Sequence, residues 1–277
     1  DGILCHLVGR DDIILSSRNI YGGSFQLLHD WYAKSAKLGV ALYWFDGYDQ
    51  KAFSIALEEV KKNEDKRLKM GRKILVYLES PCNPHGYVLD VGKISRVAHQ
   101  EGCRVIVDST VGTPFLHPLL KTEDRMDRPD FVVHSYTKEL TGTGTTTAGA
   151  VIGRNEDMFV PKHSHAEASW PDGRARVVNW DESLFWNVFY IKGGFLDADK
   201  AFEVLNGIKT YEMRMLQKTI NTTLIAFVLD SHPDINVSCP ILEENANHKL
   251  LKDNMYLGLP APLFTIDMEG CDDRPPI

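Results

Sequence analysis

Arg104-Val105-Ile106-Val107-Asp108-Ser109-Thr110 and Asp130-Phe131-Val132-Val133-His134-Ser135-Tyr136-Thr137-Lys138 decide the fold. Each is a short, unbroken apolar run that ends in polar groups. Continuous rather than alternating apolar residues mark strands buried on both faces of a sheet. Working outward, Asp12–Ser16, Val40–Phe45 and Lys73–Leu78 read as earlier strands, and Ala148–Ile152 as a sixth. The link before Ala148 is short and has no clear helix, so this strand is open to an antiparallel course. Helical spacing separates the runs. Ser24 is expected to cap a helix with Phe25, Leu27, Leu28, Trp31 and Tyr32 on its apolar side. Phe53, Leu57 and Val60 form a second helical face, and Val91, Ile94, Val97 and Ala98 a third. Strand, helix, strand repetition predicts an α/β domain around a mostly parallel sheet.

The remainder departs from this rhythm. Residues 156–196 are rich in polar residues, Pro and Gly, hold Trp170, Trp180 and Trp186, and read as a long surface loop or lid. A helix is predicted from about Asp197 to Asp230, with Val204, Leu205, Ile208, Met215, Ile220, Leu224 and Phe227 facing inward. Ile235–Val237 and Leu263–Ile266 read as strands that begin a small α+β unit. The 277 residues carry 31 basic and 38 acidic side chains, a net charge of −7. That balance argues against a nucleic-acid partner, which calls for a basic face. No apolar run is long enough to span a membrane. No signal peptide is expected at Asp1-Gly2-Ile3-Leu4. Cys5, Cys82, Cys103, Cys239 and Cys271 form no C-x-x-C pair and read as free thiols in a reducing cytoplasm. His163 and His165 lack partners at metal spacing, so no metal site is expected.

Ligands of an open parallel sheet bind at the carboxyl ends of its strands. The first strand is followed by Tyr21-Gly22-Gly23 and the third by Glu79-Ser80-Pro81-Cys82-Asn83-Pro84. The fourth ends in Asp108, and the fifth is followed by Ser135, Thr137 and Lys138. An aromatic ring, an amide, a carboxylate, hydroxyls and a lysine on one rim suit pyridoxal 5′-phosphate. Lys138 is placed to form a Schiff base, because a poorly hydrated neutral amine is nucleophilic. Asp108 is placed to keep a pyridine nitrogen protonated. Ser135 and Thr137 are candidates for the phosphate, Tyr21 for stacking on the ring and Asn83 for the phenolic oxygen. Taken singly, each has an ordinary structural reading as a cap, a turn or a solvated residue.

At these segments, and at Gly207-Ile208-Lys209-Thr210 with Arg214-Met215, the sequence resembles the Cys/Met-metabolism pyridoxal-phosphate enzymes. That family includes cystathionine γ-synthase, cystathionine γ-lyase, methionine γ-lyase and O-acetylhomoserine sulfhydrylase. The resemblance runs from about residue 3 to about residue 268. It implies the type I pyridoxal-phosphate transferase fold, with a seven-stranded-type sheet and a homodimer or homotetramer. It also implies a cofactor domain over residues 1–200 and the start of a second unit over 201–277. The implied chemistry is elimination or replacement at the γ-carbon of sulfur-containing or O-acylhomoserine amino acids, with Lys138 and Tyr21 as catalytic groups.

There are departures. Ser109 stands where the family often has Asn, and Gly142-Thr143-Gly144 where it commonly has Gly-His. The family's N-terminal arm and a helix whose amides hold phosphate are not seen. Arg274 does not match the family's substrate-carboxylate Arg, and the motif order suggests a truncated chain. The competing expectations are a non-catalytic cofactor-binding relative or scaffold and, prompted by Gly142-Thr143-Gly144, a nicotinamide dehydrogenase. The second fits poorly, because the third glycine of its motif would be Thr147.

Overall fold

The computed structural model describes residues 1–153 and 185–268 and, between them, only a short pair of strands, β7 (Ala168–Ser169) and β8 (Ala175–Arg176). Its centre is a sheet of β1 (Ile13–Ser17), β2 (Ala41–Phe45), β3 (Ile74–Glu79), β4 (Arg104–Asp108), β5 (Phe131–Ser135) and β6 (Gly149–Gly153). The strand order is β2-β1-β3-β4-β5-β6, six strands among the described residues. The first five run parallel, and β6 returns antiparallel to β5, the course that its short link left open.

The inner strands alternate between two buried faces, which is why their sequences are largely apolar. Ile13, Leu15, Val76, Leu78, Val105 and Val107 point to one side. There they meet Phe53, Leu57 and Val60 of α3 (Gln50–Asn63) and Val91, Ile94 and Ala98 of α5 (Val91–Gln100). Ile14, Leu75, Tyr77, Ile106 and Phe131 point to the other side, against Ile3 and Leu4 of α1 (Gly2–Leu7) and against Leu28 and Tyr32. Asp49 and Asp90 cap α3 and α5 by accepting from the amides of Ala52 and Lys93.

The expected cap at Ser24 is not formed. Helix α2 (Gly22–Gln26) starts earlier, with Tyr21 at its N-cap, and continues as a π-helical segment over Leu27–Tyr32. Ser24 lies inside the helix, where its hydroxyl accepts from the Tyr77 hydroxyl. Short α4 (Asp65–Lys69) and α6 (Thr113–Leu116) complete the connections.

The long helix is present as α7 (Ala198–Asp230), but its inward face differs from the expected one. Val204 and Met215 are buried, together with Thr219, Thr222 and Ala226, whereas Leu205, Ile220, Leu224 and Phe227 are exposed. Thr219 and Thr222 are tolerated inside because their hydroxyls donate to the carbonyls of Leu216 and Lys218. Beyond α7, β9 (Ile235–Ser238) pairs antiparallel with β10 (Thr265–Met268), with α8 (His248–Asn254) between them. Val237 of β9 and Leu251 of α8 join Met215, Val88 and Leu116 in a third core. Most of the loop expected over 156–196, with His163, His165, Trp170 and Trp180, lies outside the described residues, as do the Trp186 side chain, Cys271 and Arg274. Phe185–Ile191 is a π-helical segment. The four described cysteines are free thiols.

Candidate active site

The carboxyl ends of β3, β4 and β5 lie side by side, with Glu79 opposite Asp108 and Asp108 opposite Val133 in register. Asp108 closes an apolar strand and is therefore carried into a poorly solvated position. Its Oδ1 accepts from both the hydroxyl and the amide of Thr110, at 2.6 and 3.0 Å. The Thr110 hydroxyl oxygen in turn accepts from the amide of Ser135 at 2.9 Å. One side chain thus ties the end of β4 to the end of β5.

A cavity of about 330 Å³ opens beside these groups, lined by Asp108, Thr110, His134, Ser135, Tyr77 and Ser24 among others. Burial pushes the Asp108 carboxyl above its ordinary range, although the hydrogen bonds from Thr110 and Tyr77 oppose the shift. Glu79 is pushed up to about 7, first by burial and then by the charge of Asp108. Burial pushes the Tyr77 phenol well up as well.

The remaining groups stand around this centre rather than in the lining of the cavity. Tyr21 is half-exposed at the start of α2, with its ring over Gly23. Asn83 is partly buried, and its amide donates to Glu79. The Thr137 hydroxyl is engaged with the Ala148 backbone, donating to its carbonyl and accepting from its amide. Lys138 is exposed on the turn after β5, whose backbone closes through Lys138 N to Ser135 O and Gly142 N to Lys138 O. Asp108 and Ser135 are therefore brought to one cavity, and Tyr21, Asn83, Thr137 and Lys138 lie outside its lining, in the segments that follow β1, β3 and β5. Gly142-Thr143-Gly144 lies between two strands and opens no helix, unlike a dinucleotide fingerprint.

Groups without an assigned role in the sequence reading are equally structural. Thr110 joins Asp108 to Ser135. His134 and His117 are buried and turn Nδ1 to the carbonyls of Ser109 and Ser80. A larger cleft of about 530 Å³ is lined by His99, Arg125, Arg128 and Asp130. It sits at the amino ends of β4 and β5, where an open parallel sheet does not place its ligand. Among the described residues no group of acidic, His and Cys side chains is arranged to hold a metal.

A family model described as Cys/Met metabolism PLP-dependent enzyme matches residues 2–270. An L-methionine gamma-lyase of Treponema denticola is 30% identical over 263 residues, covering 94% of this chain and 55% of that protein. An O-acetyl-L-homoserine sulfhydrylase of Leptospira meyeri is 27% identical, covering 96% of this chain and 60% of that protein. A crystal structure from Campylobacter jejuni, assigned as an O-acetylhomoserine (thiol)-lyase, superposes with a TM-score of 0.73 at 26% identity. That alignment covers 94% of this chain and 62% of the other, which carries a pyridoxyl group on a lysine. The chain spans about half the length of the curated relatives it matches.

Proposed function

The chain belongs to the Cys/Met metabolism PLP-dependent enzyme family, and from that membership we propose that it holds pyridoxal 5′-phosphate at the carboxyl ends of β4 and β5. In this reading it serves elimination or replacement at the γ-carbon of sulfur-containing or O-acylhomoserine amino acids. The carrying observation is Asp108. It is a partly buried, poorly solvated carboxylate whose hydrogen-bond partners, Thr110 and Tyr77, are neutral, beside a cavity shared with Ser135. A poorly solvated carboxylate is stabilised by an opposite charge, and a protonated ring nitrogen supplies one.

When bound, the cofactor supplies an electron sink for a carbanion at Cα. Asp108 holds a proton on the ring nitrogen. Ser135 would hold the phosphate, while the Thr137 hydroxyl, whose proton lies on the Ala148 carbonyl, pins the turn that presents Lys138 and would reach the phosphate by giving up that bond. Tyr21 covers a ring face and Asn83 orients the phenolic oxygen. The Lys138 amine would anchor the cofactor and, once displaced by the substrate's amine, would carry protons between Cα and Cβ of the substrate.

The division into residues 1–200 and 201–277 belongs to this reading, as do a homodimer or homotetramer and a cytoplasmic location. No helix among the described residues is long and apolar enough to cross a membrane.

A substrate panel tests the proposal: methionine, cystathionine, O-acetylhomoserine and O-succinylhomoserine, with 2-oxo acids and thioethers both quantified. Cofactor-dependent product from at least one of the four is expected. A cofactor-loaded protein that converts none of them would contradict it.

A further inference from the structure

Glu79 is the last residue of β3 and is only 3% exposed. Its Oε2 accepts from the amide of Tyr21 at 2.7 Å, and its Oε1 accepts from the amide of Asn83 at 2.8 Å. Its own amide donates to Ser17 at the end of β1. One side chain thus links two loops that leave different strands, and it does so through backbone alone. The side chains of Tyr21 and Asn83 remain available to a ligand.

We propose that Glu79 is a positioning residue that sets Tyr21 and Asn83 at matched heights beside Asp108. The inference rests on the functional reading above, in which those two side chains border the cofactor.

Two features support it beyond the bonds themselves. First, the residue type is demanded by the geometry. Two amides converge on one side chain, and only a carboxylate offers two acceptor oxygens. A glutamine keeps one acceptor and turns an N–H₂ toward the second amide. Second, the position is costly for an acid. Asp108 stands directly opposite in register, and two poorly solvated carboxylates repel. An apolar residue would pack there without that cost, so the acid is held for what it binds.

The test compares wild type, Glu79→Gln, a Tyr21→Ala/Asn83→Ala background, and that background with Glu79→Gln. Two quantities are measured at pH 8: the amide proton shifts of residues 21 and 83 in the cofactor-free protein, and the dissociation constant of pyridoxal 5′-phosphate by absorbance. Thermal unfolding checks that each variant is folded. If Glu79→Gln does not fold, Glu79→Asp, which withdraws the same charge by one methylene, takes its place.

The expected result is an upfield move of both amide resonances in Glu79→Gln and a cofactor dissociation constant raised about tenfold. In the Tyr21→Ala/Asn83→Ala background the same change should have less than about a twofold effect, the non-additivity of coupled groups. Unmoved amide shifts, or an equal effect in both backgrounds, overturn the positioning role and leave the functional reading standing. A wild-type protein that binds no cofactor overturns the functional reading, and the positioning role with it.

Discussion

Arg214 donates from Nη1 to the carbonyl of Glu139 at 2.8 Å, and so holds the residue next to Lys138. Its other nitrogens stay on α7, with Nη2 on the Gly207 carbonyl and Nε on the Thr210 hydroxyl. Lys218, one turn further along, pairs with the Glu139 carboxylate. Gly142 makes room for this grip. Its φ is +75°, and a Cβ there would collide with the guanidinium. Helix α7 therefore fixes the turn that carries the lysine.

Removing that grip should loosen the turn before it unfolds the sheet. Arg214→Ala is expected to cost about 1–3 kcal/mol in urea unfolding, as for a lost charged hydrogen-bond donor. It should also weaken cofactor retention. Gly142→Ala should do the same through collision and strain. Unchanged stability and unchanged cofactor retention in both variants would show that α7 does not hold the turn.

Thr110 links the two strand ends at the cavity, and each half of the link can be removed. Thr110→Val keeps the shape but takes away the donor to Asp108 and the acceptor for the Ser135 amide. The expected loss is about 1–3 kcal/mol of stability, the cost of a buried group left without a partner. Thr110→Ser should restore most of it. Equal unfolding curves for wild type and Thr110→Val would contradict the link.

Stability should also carry two opposing pH limbs. Burial pushes His117 and His134 down to about 4. Between about pH 6.5 and 4 the unfolded chain takes up protons that the folded histidines refuse. Stability therefore falls as pH drops through that window, by on the order of 3 kcal/mol per histidine. Glu79 works in the opposite sense. Its folded carboxyl keeps its proton up to about 7, above the ordinary 4.5, so its contribution falls as pH rises between those values. Urea titrations from pH 4 to 8 should show a flatter acid limb in His134→Asn; Glu79→Gln should rise more steeply between about pH 4.5 and 6.5 and lose the fall between about 6.5 and 7. Slopes identical to wild type would refute the assignments.

Much of this was legible in the residues because strand burial writes itself as apolar runs. The strand read at Asp12–Ser16 is Ile13–Ser17, and the one read at Lys73–Leu78 is Ile74–Glu79. The placement of Asp108 and Ser135 at strand ends was legible because each closes such a run. Relationships that depend on distant partners left no local pattern. Arg214 and Glu139 are 75 residues apart. Glu79 stands in a quoted motif, yet nothing in its neighbourhood tells that it binds the amide of Tyr21. The face of α7 was misread because a back-bonded threonine can replace a leucine inside, which hydrophobic spacing does not register.

In the proposed function Lys138 carries the cofactor. Borohydride reduction of the protein loaded with pyridoxal 5′-phosphate, followed by peptide mass mapping, tests it directly. A pyridoxyl group on Lys138 is expected, lost in Lys138→Ala together with the visible absorbance. A label on another lysine, or none at all, would contradict it.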